Sequence, residues 1–235
     1  MKKQDELGIE EIQNALIEMM LINKKRTQDV KNYRKLRAFH QEIQDKMGEY
    51  FMNNVNPDKI FDYLSEDKYI FNFLESQEKV RFDIEIGYQR FAFMDLQLYK
   101  HTNHAGVCEI FLDKKKVRSE RKIAFIKGEL ESVPALYSII KIDDDRLHVT
   151  VENVLTRKRT TICDEKLCFN ENLDTKYLFM RILTFEGISF QTGLNFTFSK
   201  KDPKIINWIK KSRKHYRPTL QMLELYMYYK EIMGD

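Results

Sequence analysis

Glycine and proline are scarce in this chain, at 8 and 4 of 235 residues. That scarcity excludes collagen-like and Pro/Gly-rich low-complexity architectures and leaves no flexible linker to mark a domain boundary. Cysteine is nearly missing as well: Cys108, Cys163 and Cys168 are an odd set with no paired framework, which suits a reducing compartment better than the secretory route. No long apolar run exists, and the longest, Met19 to Ile22, is far too short to cross a bilayer. The first residues, Met1 to Gly8, lead into acidic amphipathic sequence without an apolar core and cleavage site, so no signal peptide is expected. These absences predict a soluble, cytoplasmic protein. Also missing are the patterns G-x-x-x-x-G-K-[ST], G-x-G-x-x-G and G-x-S-x-G, so nucleotide-loop and serine-hydrolase chemistry have no starting point.

What is present is the material of a packed core. Apolar residues make up 43% and aromatics 12%, enough to fold rather than stay disordered. The net charge of +4 permits an anionic partner without demanding one.

Periodicity divides the chain into a helical segment (1–78), an antiparallel β region (79–200) and a C-terminal helical hairpin (201–235), an α+β architecture. Ile9, Ile12, Leu16, Met19 and Met20 recur at helical spacing. Lys24 to Arg26 is expected to interrupt that helix, with a second starting at Asp29 and carrying Val30, Tyr33, Leu36, Ile43 and Met47. Asn56 and Pro57 open a further helical turn or two, and Tyr69 to Leu74 a last short helix. From Lys79 the period falls to two. Strands are expected at 80–86, 91–99, 107–112 and 123–127, then from Val133 to Ser199, for eight or nine in all. Asp202-Pro203 and Pro218 each start a C-terminal helix.

Between Leu136 and Ser199 the features fall in a distinctive order. Tyr137–Ile142 is a strand and Asp143–Asp145 an acidic turn; Val149–Thr156 is a strand with a Leu-Thr turn. Thr161–Cys163 is brief, and Phe179–Leu183 carries Arg181. This order resembles a strand pattern in uncharacterised bacterial proteins, some of which end in a SecA-type zinc tail. No such tail is expected here, since no cysteine follows Cys168. The resemblance covers about a quarter of the chain and implies a small SH3-like barrel; it carries no activity across.

Three basic groups are candidate phosphate contacts: Lys114, Lys115, Lys116, Arg118, Arg121 and Lys122; Arg157, Lys158 and Arg159; and Lys210, Lys211, Arg213 and Lys214, with His215 and Arg217 following. Solvated turns and helix ends would look the same. In a plain meander the first group falls at the opposite end of the sheet from the second, so a continuous basic face requires the C-terminal helices or another topology. His101, His104 and Cys108 form H-x2-H-x3-C, to which Cys163 or Cys168 would have to add a zinc ligand; a polar turn and small apolar thiols explain them equally well. Arg34 and His40, as R-x5-H, resemble the R-x4-6-H motif of HEPN-type ribonucleases, which would imply acid–base and phosphate roles. A solvent-facing arginine and an interface histidine are the plainer reading. Asp83, Glu85, Asp95 and Glu109 lack the lysine two residues on that a restriction-type nuclease needs. Tyr226, Tyr228 and Tyr229 widen the apolar surface of the last helix beyond one core stripe and suggest a partner surface. The expected function is non-enzymatic binding inside a bacterial cell, with nucleic acid as ligand and no cofactor; a protein-interaction or dimerisation module and a HEPN-like ribonuclease are the alternatives.

Overall fold

One unbroken helix, α1 (Lys2–Asn54), stands where two were expected. Lysine and arginine are good helix formers, so Lys24, Lys25 and Arg26 do not end it, and Asp29 lies inside rather than at a cap. The structure, a computed structural model, describes residues 2–54, 68–69, 72, 111–113, 117–132, 134–170, 172–215 and 217–233. The strands expected at 80–86 and 91–99, most of that at 107–112, and the turn at Asn56-Pro57 lie outside these residues. Residues 111–113 are helical.

A second correction concerns 123–127, which is helix: α2 (Glu120–Glu131). Alternating Ile123, Phe125 and Lys127 mimicked a strand, but Phe125, Ile126 and Glu129 are the buried positions, at helical spacing. Ser119 caps the helix, its Oγ accepting from the Lys122 amide at 3.4 Å.

The described strands are β1 (Ala135–Asp143), β2 (His148–Asn153), β3 (Arg159–Cys163), β4 (Lys176–Phe185) and β5 (Ile188–Ser199). They form one antiparallel sheet in the order β3-β2-β1-β4-β5. Register shifts between Ile139 and Lys141 and between Phe179 and Arg181 mark bulges that bend it. The curvature is large: Ile162 on edge strand β3 shares a cluster with Val149 and Val151 of β2 and with Leu178 and Met180 of β4. The two edges, β3 and β5, approach each other without sharing a ladder.

Helices cover the outer side of this bent sheet. Helix α1 lies by the gap between the edges, where Arg37 Nη1 donates to the Gln191 carbonyl of β5 at 2.7 Å and Arg34 pairs with Glu165 of α3 (Glu165–Cys168). Tyr33, Leu36, Ile43 and Met47 join Phe125, Leu183 and Phe190 in one core. Helices α4 (Pro203–Lys214) and α5 (Pro218–Met233) form the expected hairpin over another part, where Phe179, Phe196 and Tyr229 stack at 4.8 and 4.5 Å.

Arg181 is among the largest fully buried side chains, at 1% exposure. Its Nη1 donates to the Glu129 carbonyl (3.1 Å), the Ser132 carbonyl (2.7 Å) and Ser132 Oγ (3.0 Å), so the guanidinium closes the C-terminal end of α2. Arg181→Met keeps the volume and strips the guanidinium from the Ser132 carbonyl, while the Glu129 carbonyl still accepts from Ser132 Oγ at 2.9 Å; the expected loss is about 1–3 kcal/mol by urea denaturation. A loss below about 1 kcal/mol would show that water serves the Ser132 carbonyl equally well.

Candidate functional site

The turn joining β2 to β3 is tightly specified. Asn153 Oδ1 accepts from the Leu155 and Thr156 amides, each at 2.9 Å. The Arg157 amide donates to the Asn153 carbonyl at 2.9 Å, and the Asn153 amide to the Lys158 carbonyl at 2.9 Å. Closing the hairpin this way drives Arg157 to φ 64°, where a side chain costs roughly 1 kcal/mol. Arg157 Nη1 and Arg159 Nε then donate to the two oxygens of Glu152, at 2.9 and 3.0 Å. These bonds, Arg159's first, hold the Glu152 carboxyl below the usual range. Both guanidinium side chains stay 64% exposed, and Lys158 is exposed between them.

The C-terminal turn of α4 sits beside this hairpin. Asp202 caps the helix, its Oδ1 accepting from the Lys204 amide at 2.9 Å, with Pro203 at the first position. Ile205, Ile209 and Ser212 seat it inward, which leaves Lys210, Lys211, Arg213 and Lys214 exposed. Arg213 Nη2 donates to the Val154 carbonyl of the hairpin at 2.9 Å, while Val154 and Leu155 pack among Ile205, Trp208 and Ile209. Two of the three basic groups therefore share one face, and the C-terminal hairpin joins them. The carboxylates paired with them are Glu152 and Glu224; Glu224 takes Lys211 Nζ and Trp208 Nε1, each at 3.0 Å. A narrow cleft beside the hairpin, lined by Pro134, Leu136, Asn153, Leu155, Trp208 and Met222, encloses about 20 Å³. That holds little more than a water, so the chemistry on offer here is surface charge rather than an enclosed ligand pocket.

The remaining candidates are dispersed. Lys114, Lys115 and Lys116 lie outside the described residues, and Arg118 is exposed. Arg121 is held by Glu186 at 2.7 and 2.9 Å and lies over the Phe39 ring, while Lys122 bonds Glu42 at 2.7 Å. Lys122 and Lys46 push the Glu42 carboxyl down to about 2. These two cations are thus matched by acids on neighbouring elements. Tyr226 is buried at 4%, Tyr229 stacks on Phe196, and Tyr228 lies over Phe198 with its hydroxyl donating to Asp202 at 2.6 Å. The aromatic excess of α5 thus covers β5 of the same chain.

Arg34 and His40 do not converge. Six residues along a helix is roughly 120° around it. Arg34 is exposed on Glu165, whereas His40 is buried with Nε2 3.5 Å from Glu129 Oε1. His101, His104, Cys108 and the carboxylates Asp83, Glu85, Asp95 and Glu109 lie outside the described residues, among which no group of three potential ligands gathers for a metal. Burial pushes the Cys163 thiol up to about 12, keeping it protonated. Sequence reasoning passed over Glu152 and placed Arg181 on its strand without a role; a carboxylate directly before the Asn153 turn and across from Arg159 was the available sign of the first.

A family of unknown function matches residues 27–232. No curated protein and no solved structure matches the chain. Among the described residues no helix is long and apolar enough to cross a membrane.

Two substitutions probe this region. Arg157→Gly relieves the left-handed residue while removing one exposed ion pair, so thermal unfolding should hold or improve by up to about 1 kcal/mol, and a clear loss would show that the side chain supports the turn. Asp164, the buried N-cap of α3, accepts from the Lys166 and Leu167 amides at 2.9 and 3.0 Å, and burial raises its carboxyl above the usual range. A raised acid favours the folded state only while protonated, and that contribution is lost as pH rises through the folded value. Asp164→Asn keeps the accepting oxygen without the charge. It should exceed wild type in urea midpoint at neutral pH, with the difference closing in acid; equal midpoints at neutral pH would refute this.

Proposed function

We propose that this chain, which belongs to the DUF7986 family of unknown function, binds nucleic acid without catalysis through the face shared by the β2–β3 hairpin and the end of α4. The observation that carries the reading is the Arg213–Val154 bond, which locks Arg157, Lys158 and Arg159 beside Lys210, Lys211 and Lys214. Cations outnumber the two carboxylates on this face, and a phosphate backbone answers such a surface by releasing counterions. Rigid backbone supports the reading further: the hairpin is internally bonded, and Gln221 Nε2 donates to the Ser212 and His215 carbonyls to close α4. Positive side chains at a helix C-terminus are also favoured by its dipole, so Lys211, Arg213 and Lys214 gather there at no cost to folding. We read the bent sheet as a small SH3-like barrel presenting this hairpin at one end. The dispersed Arg34 and His40 give a ribonuclease nothing to build on.

Fluorescence anisotropy with short labelled RNA and DNA, single- and double-stranded, tests the proposal. Affinity should fall steeply between roughly 50 and 200 mM salt, and the combined Lys158→Glu, Lys210→Glu and Lys214→Glu variant should both weaken binding and flatten the salt slope by roughly 0.7–0.9 for each lost contact. Trp208, beside the face, should report the same event by its fluorescence. No binding at low salt, or binding indifferent to salt and to these substitutions, would overturn it.

A further inference from the structure

We propose that Glu152 is a positioning residue of the nucleic-acid face: its carboxylate holds Arg157 and Arg159 together as a preformed seat for a backbone phosphate. This role rests on the nucleic-acid reading of the face, and it makes an acid favourable to anion binding.

Glu152 belongs to the face yet lies beneath its cations. Its side chain is 12% exposed, against 64% for each of the two arginines. Strand register sets this arrangement. Glu152 stands opposite Arg159 across the β2–β3 ladder, and the Asn153 turn brings Arg157 back to the same carboxylate. Arg157 donates through Nη1 to Oε1, and Arg159 through Nε to Oε2, at 2.9 and 3.0 Å. Among the described residues nothing else takes the Nη2 of Arg157 or the Nη groups of Arg159. A guanidinium fork can bond a carboxylate along one edge and a phosphate along another, which a lysine ammonium, a point charge, does less well. Side chains held in place beforehand also lose less rotamer freedom when the phosphate arrives.

The backbone supplies an independent observation. Arg157 sits at φ 64°, a left-handed conformation that glycine or asparagine adopts more readily. A turn built for stability alone favours those residues, and backbone strain of this kind collects at ligand clamps. Bonds from Arg159, then Arg157, hold the Glu152 carboxyl below its usual range, so the clamp stays ionised into acid solution.

Positioning and simple charge counting predict opposite signs. A carboxylate that merely repels phosphate should, when removed, leave binding tighter. Glu152→Gln should instead weaken binding of the short labelled RNA and DNA roughly tenfold, about the worth of one charge-assisted hydrogen bond. With Arg157→Gly and Arg159→Ala already in place the sign should invert. There, at low salt, where Lys158 and the cations of α4 still hold the ligand, Glu152→Gln should tighten binding. Arg157→Lys with Arg159→Lys keeps every charge and should also weaken binding roughly tenfold, which decides the question even where Glu152→Gln does not fold. Equal or tighter binding by Glu152→Gln, or by the lysine pair, overturns the proposal. So does a failure to tighten binding in the arginine-free background, which would mark Glu152 as structural. Wild type that binds neither RNA nor DNA removes the nucleic-acid reading and this role with it; salt-sensitive wild-type binding beside any overturning result removes the positioning role alone.

Discussion

A helix that ends against a sheet leaves carbonyls with no intrahelical partner and no bulk water, and this fold depends on how those are met. Helix α2 closes on Arg181, drawn from the middle of β4, and α4 closes on Gln221, drawn from α5. Each donor is itself buried, at 1% and 6% exposure. Burying a guanidinium is expensive, and carbonyl acceptors and Ser132 Oγ help to offset that here. The bond from Arg181 to Ser132 also fixes the chain just before β1, so it ties together a helix end, the entry to the sheet and the strand beside it.

The bent sheet follows from similar accounting at its edges. Strands β3 and β5 approach without bonding, and an open pair of edges is a hazard unless covered. Helix α1 supplies the cover, with Arg37 on the Gln191 carbonyl and Arg34 on Glu165, while Phe39, Phe125 and Phe185 fill the space beneath with ring contacts of 5.0 to 6.2 Å. The consequence for function is geometric. With α1 and α2 on one part of the outer surface and α4 and α5 on another, the β2–β3 hairpin is left protruding next to the end of α4. The basic face is a by-product of where the second helical pair had to pack.

Much of the α+β plan was legible. Alternating Leu136 to Ile142, the Asp143 turn, Val149 to Val151 and Phe179 to Leu183 are local patterns, and Asp202-Pro203 is a local cap; each falls in the element it signals. Two misreadings share a cause. Five residues around Phe125 satisfy both periods, and Lys24 to Arg26 satisfy both a solvated helix and a break, so short-range pattern could not decide them. The candidate site was half legible: the basic groups were visible as clusters, but their distance from one another was not.

Composition and periodicity by themselves determined an apolar-cored α+β chain, the positions of its principal strands and C-terminal helices, and which residues carry mobile positive charge, because these depend on neighbours within a turn or a hairpin. Only the tertiary structure decided that Arg181 is an interior cap rather than a solvated strand residue, that Arg121 and Lys122 are matched by Glu186 and Glu42, and that Arg157 to Arg159 stand beside Lys210 to Lys214. Those outcomes rest on contacts between segments far apart in sequence, whose mutual placement is set by packing of the whole.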